Sequence, residues 1–392
     1  MNRKICVVTT SRADYYILKS LLFEIQNDRE IQLQLIATGM HLSIRHGSTY
    51  LAIQQDGFRI DRKIEMLLDT DTDTGAAKSV GVGIVGMTDV LNDLRPDIVV
   101  VLGDRYELFV VAIASLMLGV PIAHINGGET TIGAYDDAIR HALTKMSFIH
   151  FTATEHYRKR IIQMGERPDR VFTVGSPILD AIEELELYTK AEIEEVLSIK
   201  LHDTTALVTY HPVTNEKKSA LQHISNVCDA IKDANIHAVF TSSNADPEGN
   251  VVNQYIFDFV KQDTEKYTFE NNLGNQLYFS CLKHLDLMIG NSSSGIIEAP
   301  SFRMPVVNIG NRQEGRIRAA NVIDVGNTKE EITIGIEKAK SKSFRLSLDN
   351  IINPYRCSSG KSASNAIKEK LKNYPLTNGV LKKVFYDIQF DI

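Results

Sequence analysis

Asp104, Arg105 and Glu107 lie within four residues of one another, directly after five apolar residues and a single glycine. A turn needs the glycine, but it does not need two carboxylates and a guanidinium. Carboxylates gathered at a strand end suit proton transfer and the stabilisation of growing positive charge, and a guanidinium suits a phosphate. Asp104 as a helix cap, with Glu107 in the first turn, accounts for one carboxylate well and for the trio poorly.

Four more clusters share that placement. "TTSRADYY" (9–16) offers Ser11, Arg12 and Asp14. It reads either as a phosphate site of helix amides plus Arg12, or as a helix capped by Asp14 with Arg12 solvated. "HINGGETTIGAYDDAIRHALTKMS" (124–147) carries Gly127 and Gly128, which let the backbone approach a ligand, and then Glu129. Asp136 or Asp137 starts a helix there, and the spacing sets Asp136 beside Arg140 and Asp137 beside His141 on one face. An ordinary ion-paired surface helix is the plainer reading of those pairs. "YHPVTNE" places His211 at a strand end. In "IGNSSSGIIEAPSFRMPVVNIGNRQEGR" (289–316), Ser292, Ser293, Ser294 and Gly295 open a short helix able to take a diphosphate. Glu298 follows one turn later, placed to accept from ribose hydroxyls, and Arg312 follows the next strand. Neither GxGxxG nor GxxxxGK[ST] occurs, so the two common nucleotide fingerprints are absent.

Such clusters need strands to present them. Segments 4–10, 31–39, 97–103, 120–127, 148–154 and 170–176 read as short β-branched strands, with helical patterns at 14–27, 76–94, 105–118, 135–146 and 155–164 between them. An acidic helical stretch at 180–204 reads as a join. Strands resume at 206–212, 236–243, 267–270, 285–293, 304–310 and 321–326. This alternation predicts an α/β chain of two Rossmann-like, doubly wound domains, 1–180 and 181–375, with ligands at the carboxyl ends of the strands in the cleft between them. The tail 376–392 is amphipathic and is placed to pack back on the first domain.

Composition narrows the class. The 392 residues are 43 % hydrophobic and 23 % charged, ordinary for a soluble protein. A net charge of −6 argues against nonspecific binding to nucleic acid or an acidic membrane. No apolar run reaches the roughly 20 residues of a transmembrane helix, and the start lacks a signal-peptide pattern. The four cysteines, Cys6, Cys228, Cys281 and Cys357, are far apart, which indicates neither a zinc site nor a disulfide framework and fits a reducing cytoplasm.

Taken together, "SRADY", "TGMH", "LGDRYE", "GGE…DDAIRHALTKMS", "HPVT", "GNSSSGIIEAPS" and "NIGNRQEGR" resemble the UDP-N-acetylglucosamine 2-epimerase family, in particular its hydrolysing branch in bacterial sialic acid synthesis. These motifs span nearly the whole chain, in order. The resemblance implies a glycosyltransferase-B-type fold and the conversion of UDP-N-acetylglucosamine and water to UDP and N-acetylmannosamine without a redox cofactor; with Arg12, Arg312 and the helix at Ser292 to hold the departing diphosphate, no metal is strictly required. It implies catalytic roles for Asp104, Glu129, Asp136 and His211, and binding of UDP or sugar by Arg12, Ser292, Ser293, Ser294, Glu298 and Arg312. A UDP-sugar is then the partner, and a homodimer or homotetramer the expected assembly. One departure stands out: where many relatives carry "NPYGDGN", this chain has "NPYRCSSGKSASN" from Asn353. Three rivals remain: a hydrolysing 2-epimerase for the UDP form of a diacetamido-trideoxy sugar of the legionaminic acid route, a glycosyltransferase of the same fold, and a nucleotide-sugar sensor without catalysis.

Overall fold

Short apolar runs that alternate with helices have one economical solution, a parallel sheet covered on both faces. The computed structural model shows that solution twice. It describes residues 2–69, 72–131, 135–201, 204–212, 219–243, 248–357, 360–376 and 383–389. Two compact units result: Met1–Glu129 with Tyr135–Glu183 and Tyr355–Ile392, and Thr130–Ala134 with Glu184–Pro354.

In the first unit, strands β1 (Arg3–Thr9), β2 (Ile31–Thr38), β3 (Arg62–Ile64), β4 (Ile98–Leu102), β5 (Ile122–Ile125), β6 (Ile149–Thr152) and β7 (Val171–Thr173) form one sheet. Its order is β3-β2-β1-β4-β5-β6-β7, and every pairing is parallel. The order reverses beside β1, where β1 pairs with β2 on one side and β4 on the other. Ligands in such sheets bind outside the strand ends at this switch point. The stretches that lead from β1 and β4 into their helices there are "SRADY" and "GDRYE".

The second unit repeats the plan with β8 (Thr205–Thr209), β9 (His237–Thr241), β10 (Tyr267–Glu270), β11 (Leu287–Gly290), β12 (Val306–Ile309) and β13 (Val322–Val325), in the order β10-β9-β8-β11-β12-β13. Its switch point lies between β8 and β11, so His211 and the serine loop leave adjacent strands.

All twelve strands expected from sequence are present. The thirteenth, β3, was not expected. It is three residues long, "RKI", with two of them exposed, so neither length nor apolar pattern marks it. The second domain, read from sequence as running to 375, gives way sooner: the chain rejoins the first unit at Tyr355. Helix Ala363–Asn373 sets Ile367 and Leu371 into the core beside Leu18 and Leu22. Arg3 donates to the carbonyls of Leu371 at 2.7 Å and Tyr374 at 2.8 Å. Hence the stretch from Tyr355 belongs with the first unit because it fills that unit's core.

Beyond it, the Tyr386 amide donates to the Gly165 carbonyl at 2.9 Å. The Lys383 ammonium donates to the carbonyls of Lys145 and Ser147, both at 2.6 Å. Residues 377–382 and 390–392 of the tail, and 213–216 of the histidine motif, lie outside the described residues. Among the described residues, no helix is long and apolar enough to cross a membrane.

Candidate active site

Strand β4 is buried along its whole length, and Gly103 ends it at φ +84, a conformation glycine adopts without strain. The turn is held from below by His124 on β5, whose ring Nε2 lies 2.7 Å from the Gly103 carbonyl. Burial pushes the His124 pKa down to about 3, so the ring is neutral at pH 7. Asp104 does not cap the following helix. Arg105 occupies the cap position of helix Tyr106–Leu118, without a side-chain cap bond. The Asp104 carboxylate instead meets the Arg140 guanidinium, and Arg140 also pairs with Glu129 at 3.3 Å.

Arg140 therefore joins two carboxylates from the ends of β4 and β5. It lies on helix Tyr135–Met146, whose first turn carries Asp136 and Asp137. Its side chain is 4 % exposed, Glu129 is likewise 4 %, and Asp104 is 20 %. Burial opposes its charge, but the two carboxylates beside it hold Arg140 firmly protonated. Arg140 also donates at 3.2 Å to the carbonyl of Asn126, a residue with left-handed backbone at φ 61. On the same helix, His141 stands 3.5 Å from Asp137, as the four-residue spacing requires. Asp136 is half-buried at the helix start.

The glycine pair before Glu129 has a different use from the one its sequence suggested. A side chain at Gly128 would lie 2.6 Å from the Tyr157 carbonyl, and one at Gly127 would crowd His124 and Thr144 at 3.0 Å. The close approach is to the protein's own helix Glu155–Gln163 and to β5. Arg160 on that helix donates to the Gly128 carbonyl at 2.5 Å.

At the end of β1, Ser11 rather than Asp14 is the cap of helix Arg12–Gln26, accepting from the Asp14 amide. Arg12 is exposed in the first turn. Asp14 is buried, accepts from the Thr10 hydroxyl, and has its carboxyl pushed up by burial, against the pull of Arg105. Beside it, Glu107 is wholly buried and accepts from Arg105 at 2.7 Å. His41 of "TGMH" is buried too. Its ring lies 2.9 Å from the Thr9 hydroxyl and 2.8 Å from Thr49, with its pKa lowered by burial to about 4.

The second unit brings its own candidates together at its switch point. The His211 amide donates to the Asn291 side chain at 2.8 Å, and the Asn291 amide group returns a bond to the His211 carbonyl at 2.8 Å. These reciprocal bonds tie the end of β8 to that of β11. Burial first, then the charge of Arg312, lowers the His211 pKa to about 3, leaving a neutral imidazole. Arg312 and Gln313 both donate to the Asn291 carbonyl, at 3.1 and 2.9 Å. Ser292, Ser293 and Ser294 follow directly. The helix they open is a single turn, Ser294–Ile297, and Glu298 ends it. The Ser294 side chain is buried. Tyr278, from helix Gly274–His284, stands against Ser294, Thr209 and Ser292.

Sequence reading therefore singles out residues that the structure sets on neighbouring elements of one unit, Asp104, Glu129 and Asp136, with Arg12 in the first turn of the helix after β1, and around one turn of the other, His211, Ser292, Ser293, Ser294, Glu298 and Arg312. It missed Arg140 as the link between carboxylates, the burial of Glu107, and the tie made by Asn291. Arg140 had a signal, its four-residue offset from Asp136. Asn291 had only its place after a strand.

Residues 23–372 match the family described as UDP-N-acetylglucosamine 2-epimerase. A Campylobacter jejuni protein, named GDP/UDP-N,N'-diacetylbacillosamine 2-epimerase (hydrolyzing), is 42 % identical over 346 residues, 88 % of this chain and 89 % of that one. The polysialic acid biosynthesis protein P7 of Escherichia coli is 37 % identical, covering 98 % of each chain. The crystal structure of UDP-GlcNAc 2-epimerase from Neisseria meningitidis bound to UDP-GlcNAc superposes with a TM-score of 0.80 over 94 % of this chain and all of that one, at 19 % identity.

Proposed function

The chain belongs to the UDP-N-acetylglucosamine 2-epimerase family, and from that premise we propose that it hydrolyses a UDP-linked 2-acetamido sugar with inversion at C2. The observation that carries this reading is the Arg140 guanidinium joining Asp104 to Glu129 at the ends of β4 and β5. Removing the unactivated C2 proton becomes feasible as the nucleotide leaves C1, because positive character grows at C1 and a glycal forms. Water then adds at C1, and a proton returns to the opposite face of C2. That sequence needs a base, an acid and a stabiliser of charge.

Asp104 is the most accessible member of the ion-paired trio and takes the part of base or stabiliser. Glu129, almost wholly buried against Arg140, fixes the guanidinium that aims Asp104. Asp136, in the first turn of the same helix, is the partner for the second proton transfer. Arg12, also of the first unit, suits a phosphate; in the other unit, neutral His211 can donate to or accept from substrate, while Arg312 and the hydroxyls of Ser292, Ser293 and Ser294 suit the departing diphosphate and Glu298 the ribose. These steps use side chains alone.

The substrate we favour is the UDP-linked 2,4-diacetamido-trideoxy sugar, on the strength of the 42 % identical relative. UDP-N-acetylglucosamine is the second reading, favoured by the relative named for polysialic acid. Incubation of each UDP-sugar in D2O, followed by NMR, tests both. Release of UDP with a free 2-epimeric sugar deuterated at C2 is the expected result, from the diacetamido compound in preference. Release only on addition of an acceptor sugar, without deuterium at C2, would make the protein a glycosyltransferase. Binding without turnover would make it a sensor. The GDP-linked sugars run in parallel examine the choice of base. Assembly as a homodimer or homotetramer and a cytoplasmic setting complete the proposal.

A further inference from the structure

Three motif segments contribute residues that the reaction above does not use: Asp14 of "SRADY", Met40 and His41 of "TGMH", and Arg105 with Glu107 of "GDRYE". They meet at the ends of β1, β2 and β4. The His41 amide donates to the Thr10 carbonyl at 3.3 Å, and Arg105 touches the Met40 sulfur at 3.1 Å and Glu107 at 2.7 Å. The fit is tight. Gly39 turns at φ +59, and a side chain there would lie 3.0 Å from the Thr10 carbonyl and 3.2 Å from the Glu107 carboxylate.

Glu107 is the anomaly in this cluster. It is 0 % exposed in an otherwise uncharged helix, and one of its carboxylate oxygens has no hydrogen-bond partner among the described residues. Favourable contact with a helix dipole needs no such burial. Stability does not call for it either, since a buried ion pair is commonly no better than well-packed apolar side chains of the same volume. What the pair does supply is geometry. Arg105 is the residue after Asp104, and its guanidinium is anchored between Glu107 and Met40, with Asp14 close enough to feel its charge. On the other side of the same turn, His124 grips the Gly103 carbonyl. The backbone that projects Asp104 is therefore clamped at both flanks.

We propose that Glu107 is a positioning residue: by anchoring Arg105 it fixes the turn that aims the Asp104 carboxylate at Arg140 and at the substrate. This rests on the catalytic part given to Asp104 above. Displacement of a reacting group by about 1 Å costs on the order of 100-fold in rate, so Glu107→Gln and Arg105→Lys are each expected to lower kcat by that order. The KM for the UDP-sugar and the Kd for UDP should stay within about threefold, as suits loss of an interaction that matters in the transition state.

Each single change leaves a buried group without its partner and can cost folding. The double variant Arg105→Met with Glu107→Leu removes both charges and is expected to keep the wild-type Tm. If the pair merely stabilises, that variant keeps its kcat along with its Tm, and a kcat within about threefold of wild type overturns the proposal. A stable double variant with the large kcat deficit supports it. Should the wild-type protein turn over neither UDP-sugar, the reaction reading fails by itself. The crystal structure of the double variant then decides: an Asp104 carboxylate still paired with Arg140 overturns the positioning role, and one swung away supports it.

Discussion

Arg140 carries the shortest chain of argument from residue to function, because one guanidinium serves Asp104 and Glu129 together. Asp104→Asn removes the charge and keeps the shape. Turnover is expected to fall by about 1,000-fold or more, since a base or charge stabiliser in a dry site is worth several kcal/mol. Binding of UDP, measured by calorimetry, should hold, and unchanged turnover would remove Asp104 from the mechanism. The sequence pointed to Asp104 as a candidate because a buried strand and one glycine present it, and the structure sets its carboxylate on Arg140 rather than on the helix end. Glu107 was not legible: a carboxylate in a helix's first turn is ordinary in sequence, and only packing reveals that it is wholly buried. Of the two readings open for the segment of Asp14, the one with that residue as cap fails, since Ser11 three residues earlier takes the cap and leaves Asp14 to pack inward.

At the scale of elements, parallel strands advertised themselves through β-branched runs ending in glycine or threonine, and so did the helices between them. What the sequence does not display is contact between elements distant along the chain. Gly127 and Gly128 illustrate this, for they suggested room for a ligand, while the space is taken by helix Glu155–Gln163 and by β5. Gly128→Ala tests the assignment. With φ +78 and a backbone carbonyl 2.6 Å from the new carbon, the substitution is expected to destabilise by about 2–4 kcal/mol. Urea unfolding measures it, and a loss below about 0.5 kcal/mol would show that the helix gives way freely. Because Glu129 follows directly, turnover should fall along with stability. The short strand β3 escaped detection because edge strands of three residues carry too few side chains to show a period.

The whole molecule carries a set of imidazoles kept neutral by burial: His41 with its pKa lowered to about 4, and His124 and His211 lowered to about 3. Their unfolded values lie near 6.5. The unfolded chain therefore binds more protons as pH falls below about 6.5, and stability drops. Each such histidine removes about 1.4 kcal/mol per pH unit in this window. Glu166 adds to the loss only lower down: although burial raises its carboxyl, bonds from His150, Lys145 and Lys383 hold it at about 2, beneath an unfolded value near 4.3. Urea midpoints at pH 7.5 and 5.0 should thus differ markedly, and a flat profile would contradict the buried neutral state. Leu371→Ala, in the returning helix, is expected to cost about 2–5 kcal/mol, a core-cavity penalty, in the unfolding of the first unit. That returning segment also orders events during synthesis. The second unit is complete once Pro354 has emerged from the ribosome, whereas the first, begun at the amino terminus, waits for Ile367 and Leu371 to close its core. The half that is translated first is consequently the half that finishes folding last, with a partly exposed sheet in the interval for chaperones to guard.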